Sequence, residues 1–135
     1  MKTKGTYTVN KWDENLYEQI SSEMKITKAT VEYSMSGQIN GKALVEYLMF
    51  YKYFDANDQH KSSAIYIGLI RFIGSVQGKE GSFVIEDRGT FENGAASSTL
   101  QIIAGSGMGE LEGIKGTGRY SATQDGAQIE LDYNL

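Results

Sequence analysis

Two carboxylates, Glu46 and Asp87, carry the chemistry that this sequence could do. Strand pairings read from the turn signals set both on otherwise apolar faces, where loss of water disfavours the charged form and raises the pKa. A neutral or paired acid in such a place could bind the polar head of a ligand, or move a proton as the acid or base of a cyclase or isomerase. A structural role is the alternative, with the acid satisfied by Arg71, a tyrosine hydroxyl or a buried water. Arg71 depends on the QGKEGS turn after it. A turn that preserves parity leaves it outside with Ile73, and a one-residue bulge turns it in. The expected ligand-facing set is Tyr33, Glu46, Arg71, Phe72, Asp87, Tyr120 and Tyr133, with Glu46 and Asp87 as the catalytic candidates. The aromatic run Tyr47, Phe50, Tyr51, Tyr53 and Phe54 could floor a pocket, or serve core packing or an interface.

Other motifs only imitate sites. Residues 105–120, GSGMGELEGIKGTGRY, hold six glycines in sixteen positions. A phosphate loop needs G-x-x-x-x-G-K-[ST] and a dinucleotide fingerprint needs G-x-G-x-x-G, each opening a helix. Gly107, Gly109 and Gly113 run G-x-G-x-x-x-G and lead into a strand, so the stretch reads as a connection packed close to its neighbours. Asp55, Asn57 and Gln59 start like a calcium loop, but His60 stands at the required glycine and Tyr66 at the bidentate glutamate. His60 is the only histidine, which removes a Ser-His-Asp triad and a two-histidine metal site. The absence of cysteine removes thiolate zinc, thiol nucleophiles and disulfides, and fits a cytoplasmic protein. No metal or cofactor is expected.

Charge and hydropathy narrow the partners. Thirteen basic and seventeen acidic residues give a net charge of -4 with no basic run, which argues against nucleic acid. The N-terminal MKTKGTYTVNKWDEN lacks the apolar centre of a signal peptide. The longest apolar-rich run, residues 64–76, is broken by Arg71 and falls short of the ~20 residues of a spanning helix, so no membrane partner is expected.

The elements that must position these residues are strands. A chain of 135 residues is the length of a single domain, 1–135, and its apolar residues recur with period two almost throughout. Without proline, turns fall to Asn40-Gly41, Asn93-Gly94 and Asp125-Gly126, pairs that tolerate the positive φ of a type I′ hairpin. A turn at Asn40-Gly41 sets Met35 opposite Glu46 and Tyr33 opposite Leu48. One at Asn93-Gly94 sets Ile85 opposite Ile102, with Asp87 on the apolar side. One at Asp125-Gly126 sets Tyr120 opposite Leu131 and Gly118 opposite Tyr133, an aromatic over a glycine. The first strand runs over residues 5–12 and could resume through Tyr17. Eight strands of roughly 8 to 12 residues with hairpin connections predict an all-β, antiparallel up-and-down barrel, since closure removes both sheet edges.

The motifs Trp12-Asp13-Glu14, Val45-Glu46-Tyr47-Leu48-Met49, Gly68-Leu69 with Arg71-Phe72, Gly81-Ser82-Phe83-Val84, Gly89-Thr90-Phe91, the glycine-rich stretch and Leu131-Asp132-Tyr133 follow one another along nearly the whole chain. Together they resemble an uncharacterised family, a domain of unknown function. The resemblance implies a fold similar to the allene oxide cyclase and dirigent-type barrels, and no activity. Members often carry His where this chain has Asp87 and Glu where it has Ile70, which speaks against a mechanism built on an imidazole here.

An eight-stranded barrel has an interior that side chains just fill or that holds one small molecule. The leading expectation is a barrel binding one small apolar or amphipathic ligand. The alternatives are a cyclase or isomerase using a buried carboxylate and a structural or interaction module. Ile65, Ile67, Leu69, Ile73, Val84 and Ile103 fall on the outer face, and an apolar patch of that kind predicts a homo-oligomer.

Overall fold

The period-two alternation becomes eight long strands, each hydrogen-bonded to the next along the chain. The computed structural model describes residues 1–135. The strands are β1 (Lys2–Gln19), β2 (Lys25–Gly37), β3 (Ile39–Tyr53), β4 (Ser63–Val76), β5 (Lys79–Glu92), β6 (Ala95–Ile102), the two-residue β7 (Met108–Gly109), β8 (Lys115–Thr123) and β9 (Gly126–Asn134). All pairings are antiparallel. Pairing of β4 with β5 and of β1 with β9 closes a ring of eight, and β7 lies beside the start of β5. The β1–β9 seam is short, residues 2–6 against 128–132, and the N-terminal ammonium donates to the Tyr133 carbonyl at 2.6 Å.

Two of the expected turns are displaced, with different consequences. Asn93 and Gly94 both take positive φ, 54° and 75°, and reverse the chain between β5 and β6 in the expected register. Asn40-Gly41 is not a turn. The chain reverses at Gly37 and Gln38, with Gly37 at φ 112°, and Val31 faces Val45 while Thr30 faces Glu46. The displacement is odd, so every side chain of β3 changes face, and Glu46 lies outside rather than inside. Gly41 serves a close approach instead: it faces Gly74 on β4, whose Cα would lie 2.7 Å from a Cβ at 41. The last hairpin reverses at Gln124 and Asp125, one residue early, which shifts each pairing by two. Faces are kept, but Tyr120 meets Ile129, Gly118 meets Leu131 and Gly116 meets Tyr133. Between β4 and β5, Gln77 and Gly78 form a two-residue reversal that preserves parity, and Arg71 points outward.

β1 is longer than expected and is interrupted by a bulge between Val9 and Lys11. Before the bulge Tyr7 points into the ring. After it Trp12 and Glu14 occupy inward positions, opposite the buried Val31 and Ala29. A bulge changes parity without changing composition, so alternation alone does not reveal it.

Inside the ring, Ile39, Phe72, Val76, Phe83, Ile85, Leu131 and Tyr133 fill one end and are almost fully buried. The glycine-rich stretch covers that end. Its β7 pairs with Gly81 and Ser82, and Leu111 and Ile114 are completely buried in the same cluster. Far from cradling phosphate, these glycines let a connection turn back and insert two side chains as a plug. Leu111→Ala should destabilise the fold by about 2–5 kcal/mol, the range for emptying a packed leucine site. Urea unfolding measures this; a loss under about 0.5 kcal/mol would show that the stretch is only a surface connection.

Candidate functional site

Asp87 is fully buried on β5, between Gly68 of β4 and Leu100 of β6. The missing side chain at Gly68 decides what reaches it. Tyr47 on β3 lies across that position, where a Cβ would sit 2.6 Å from its ring, and its hydroxyl donates to Asp87 Oδ2 at 2.9 Å. The Tyr33 and Tyr47 hydroxyls are 3.2 Å apart. One layer toward the opposite end from the plug, Tyr66 crosses Gly89 in the same way, and its hydroxyl meets Ser98 Oγ on β6 at 2.6 Å. Tyr66 also reaches the Tyr120 hydroxyl at 3.5 Å. Tyr7 packs its ring against Tyr33 and Tyr120, with centroids 4.9 and 5.1 Å away.

The result is a cluster of five tyrosines, one aspartate and one serine inside an otherwise apolar ring. Burial pushes the Asp87 carboxyl up to about 6, against the pull of the Ser98 and Tyr47 hydroxyls. Burial also raises Tyr33, to about 12, and drives Tyr7, Tyr47, Tyr66 and Tyr120 above the ordinary phenol range, with neighbouring tyrosines adding to the effect. All five phenols stay neutral at physiological pH, as donors as well as acceptors. Two buried atoms have no hydrogen-bond partner, Asp87 Oδ1 and the Tyr7 hydroxyl. The carboxyl can therefore hold or accept a proton near neutrality.

Above this cluster, at the end away from the plug, a hollow of about 310 Å³ opens among Trp12, Glu14, Met49, Tyr51, Phe54, Gln59, Ser62 and Phe91. Trp12 stacks over Tyr47 at 6.3 Å, joining the mouth to the cluster below. Glu14 is fixed by three donors: Trp12 Nε1 at 2.9 Å to Oε1, and Thr27 Oγ1 and the Tyr51 hydroxyl at 2.7 and 2.8 Å to Oε2. No group of three His, Cys, Asp or Glu side chains converges as metal ligands.

Of the residues expected to face a ligand, Tyr33, Asp87 and Tyr120 come together in the cluster. Phe72 and Tyr133 are inside but at the plugged end, where Phe72 packs on Phe83 and the Tyr133 hydroxyl donates to Gln77 Oε1. Glu46 and Arg71 are on the outer face, and Glu46 accepts only from Thr30 Oγ1, at 2.9 and 3.0 Å. Tyr51 and Phe54 of the aromatic run do border the hollow. Sequence reasoning missed Tyr7, Tyr66, Ser98, Trp12 and Glu14. Gly68 and Gly89 were the available signal, since a strand glycine marks space into which an aromatic on the next strand can lie.

Fold and site together define an all-antiparallel protein whose ring of eight strands holds a buried tyrosine–aspartate cluster beneath an aromatic mouth. The family described as "Protein of unknown function (DUF3224)" matches residues 3–134, and the chain belongs to it. The crystal structure of a DUF3224 protein of unknown function from Shewanella oneidensis MR-1 is similar over 100% of this chain and 96% of that one, with a TM-score of 0.80 at 24% identity. At that identity the likeness is one of fold. No curated protein matches the chain. No helix is long and apolar enough to cross a membrane.

The raised pKa of Asp87 has a signed effect on stability. At low pH the carboxyl is protonated in both states. Between about pH 4 and pH 6 the unfolded chain releases its proton first, so stability falls over that window and levels off above it. Asp87→Asn should remove a fall on the order of 3 kcal/mol. Urea midpoints of both proteins at several pH values measure the difference; parallel pH profiles would rule out a native-state shift at Asp87.

Proposed function

We propose that the ring is a closed, allene oxide cyclase-like barrel that binds one small apolar or amphipathic molecule at its mouth. The observation that carries this reading is the hollow bordered by Trp12, Met49, Tyr51, Phe54 and Phe91, in which Tyr51 and Phe54 pack edge to face at 5.3 Å and form an aromatic wall. Its volume is at the lower end of the roughly 300–1,000 Å³ range of small-molecule sites. The unpartnered Asp87 Oδ1 and Tyr7 hydroxyl lie deeper in the same ring and add polar capacity beneath it.

Trp12 is the only tryptophan and lies in the wall of the hollow, so its emission reports occupancy without a label. Titration with the neutral apolar probe N-phenyl-1-naphthylamine should quench Trp12, with a dissociation constant of about 1–100 μM for a probe of this size. Unchanged Trp12 emission, with no bound probe in native mass spectrometry, would overturn the reading. A proton-transfer enzyme of cyclase or isomerase type is the second reading. Asp87 favours it, because its carboxyl titrates near neutrality and keeps one oxygen free, and it would then be the acid or base in place of Glu46.

The outer face supports association of two copies. Leu44, Leu48, Ile65, Ile67, Leu69 and Ile73 are exposed on the paired strands β3 and β4. Arg71 and Glu46 are set among them, and neither belongs to any of the five ion pairs of the chain. In a two-fold contact each Arg71 can meet the partner copy's Glu46, and the two pairs form together. Light scattering should show a dimer at micromolar concentration. Arg71→Glu should shift it toward monomer by about tenfold in dissociation constant, and the swap Arg71→Glu with Glu46→Arg should restore it. A wild-type monomer would overturn this association.

A further inference from the structure

The residues that border the hollow include one charged side chain. Of the residues bordering the hollow only Glu14 is ionisable with an ordinary acid or base, the rest being aromatic, thioether, amide or hydroxyl apart from the weakly acidic Tyr51. Its three donors hold the carboxylate in place. A carboxylate offers about four acceptor sites, so Oε1, which accepts only from Trp12, keeps one in reserve. None of the five ion pairs of the chain includes Glu14. One cation, Lys25, reaches the rim: its ammonium stands 3.4 Å from the Phe54 ring centroid and 5.4 Å from that of Tyr51. Lys25 does not border the hollow. It shows that these rings can hold an ammonium group, since the negative face of an aromatic ring attracts a cation.

We propose that the mouth recognises an organic ammonium ion with a small apolar body. This rests on the reading of the mouth as a ligand site and adds its charge preference. The ammonium donates to Glu14 Oε1 and stands against the aromatic faces of Trp12 and Tyr51, and the apolar body covers Met49 and Phe91. Three preset donors keep the carboxylate from rearranging when the ligand arrives. Lys25 is a competing positive charge at the rim, and it tempers the affinity.

Calorimetry on the full chain with three probes sharing one body tests this: 1-naphthylmethylamine, 1-naphthalenemethanol and 1-naphthoate. The amine should bind about tenfold tighter than the alcohol, and the carboxylate weakest, as expected for a partly desolvated ion pair with aromatic support. Glu14→Gln should bring the amine down to the affinity of the alcohol while leaving the alcohol within about threefold. Lys25→Met should tighten the amine about threefold, whereas an anion site anchored on Lys25 would weaken the carboxylate in the same variant. If Glu14→Gln does not fold, Lys25→Met and the loss of amine preference on raising salt from 20 to 500 mM serve in its place. Equal binding of all three probes, tightest binding of the carboxylate, or an amine preference that survives both Glu14→Gln and high salt would overturn the ammonium preference while leaving a ligand site intact. Binding of none would overturn both.

Discussion

Everything inside this protein depends on how little room a ring of eight strands encloses. Inward side chains from opposite walls meet, so a large one fits only where a neighbour is small. Gly68 and Gly89 supply the missing bulk. Tyr47 and Tyr66 lie across them and carry their hydroxyls a full strand further than the backbone would, to Asp87 and Ser98. Without those two glycines a Cβ would meet the tyrosine rings, and the aspartate would lose the Tyr47 hydroxyl that donates to it. The buried carboxyl is tolerable because the backbone beside it has been stripped.

Environment, not residue type, separates the acids of this chain. Asp87 is sealed among tyrosines and resists ionisation. Glu14 sits half-buried at the rim with three donors around it. Glu46 meets a single threonine hydroxyl on the outer face. Only the first two can act on anything inside the ring. The outward position of Glu46 instead leaves it beside leucines and isoleucines, where it helps to define a surface.

The all-β class, the number of long strands and the inward position of Asp87 were legible from alternation and from Asn93-Gly94, a pair that does form its turn. Asn40-Gly41 misled because glycine answers two needs that look alike in sequence: the positive φ of a reversal and the close approach of two backbones, here with Gly74. That one ambiguity moved Glu46 across the sheet. The bulge in β1 hid Trp12 and Glu14 for a different reason. One unpaired residue exchanges inside for outside, and a long polar-rich strand gives no sign of where this happens. The candidate mouth was therefore less legible than the core, because it is built from the places where strict alternation fails.

The seam between β1 and β9 joins the two most distant parts of the chain through a short ladder. Six of the remaining seven joints of the ring pair strands that follow one another directly or across a short reversal, and such local pairings form in microseconds, whereas bringing the chain ends together carries the largest loop entropy. The ring should thus zip up as a curved open sheet and lock last at the seam. Until it does, the tyrosines on one wall have no opposite wall, and Asp87 remains in contact with water. Desolvation of the acid and closure of the ring are then one event: the carboxyl becomes a proton-holding group only when the first strand finds the last.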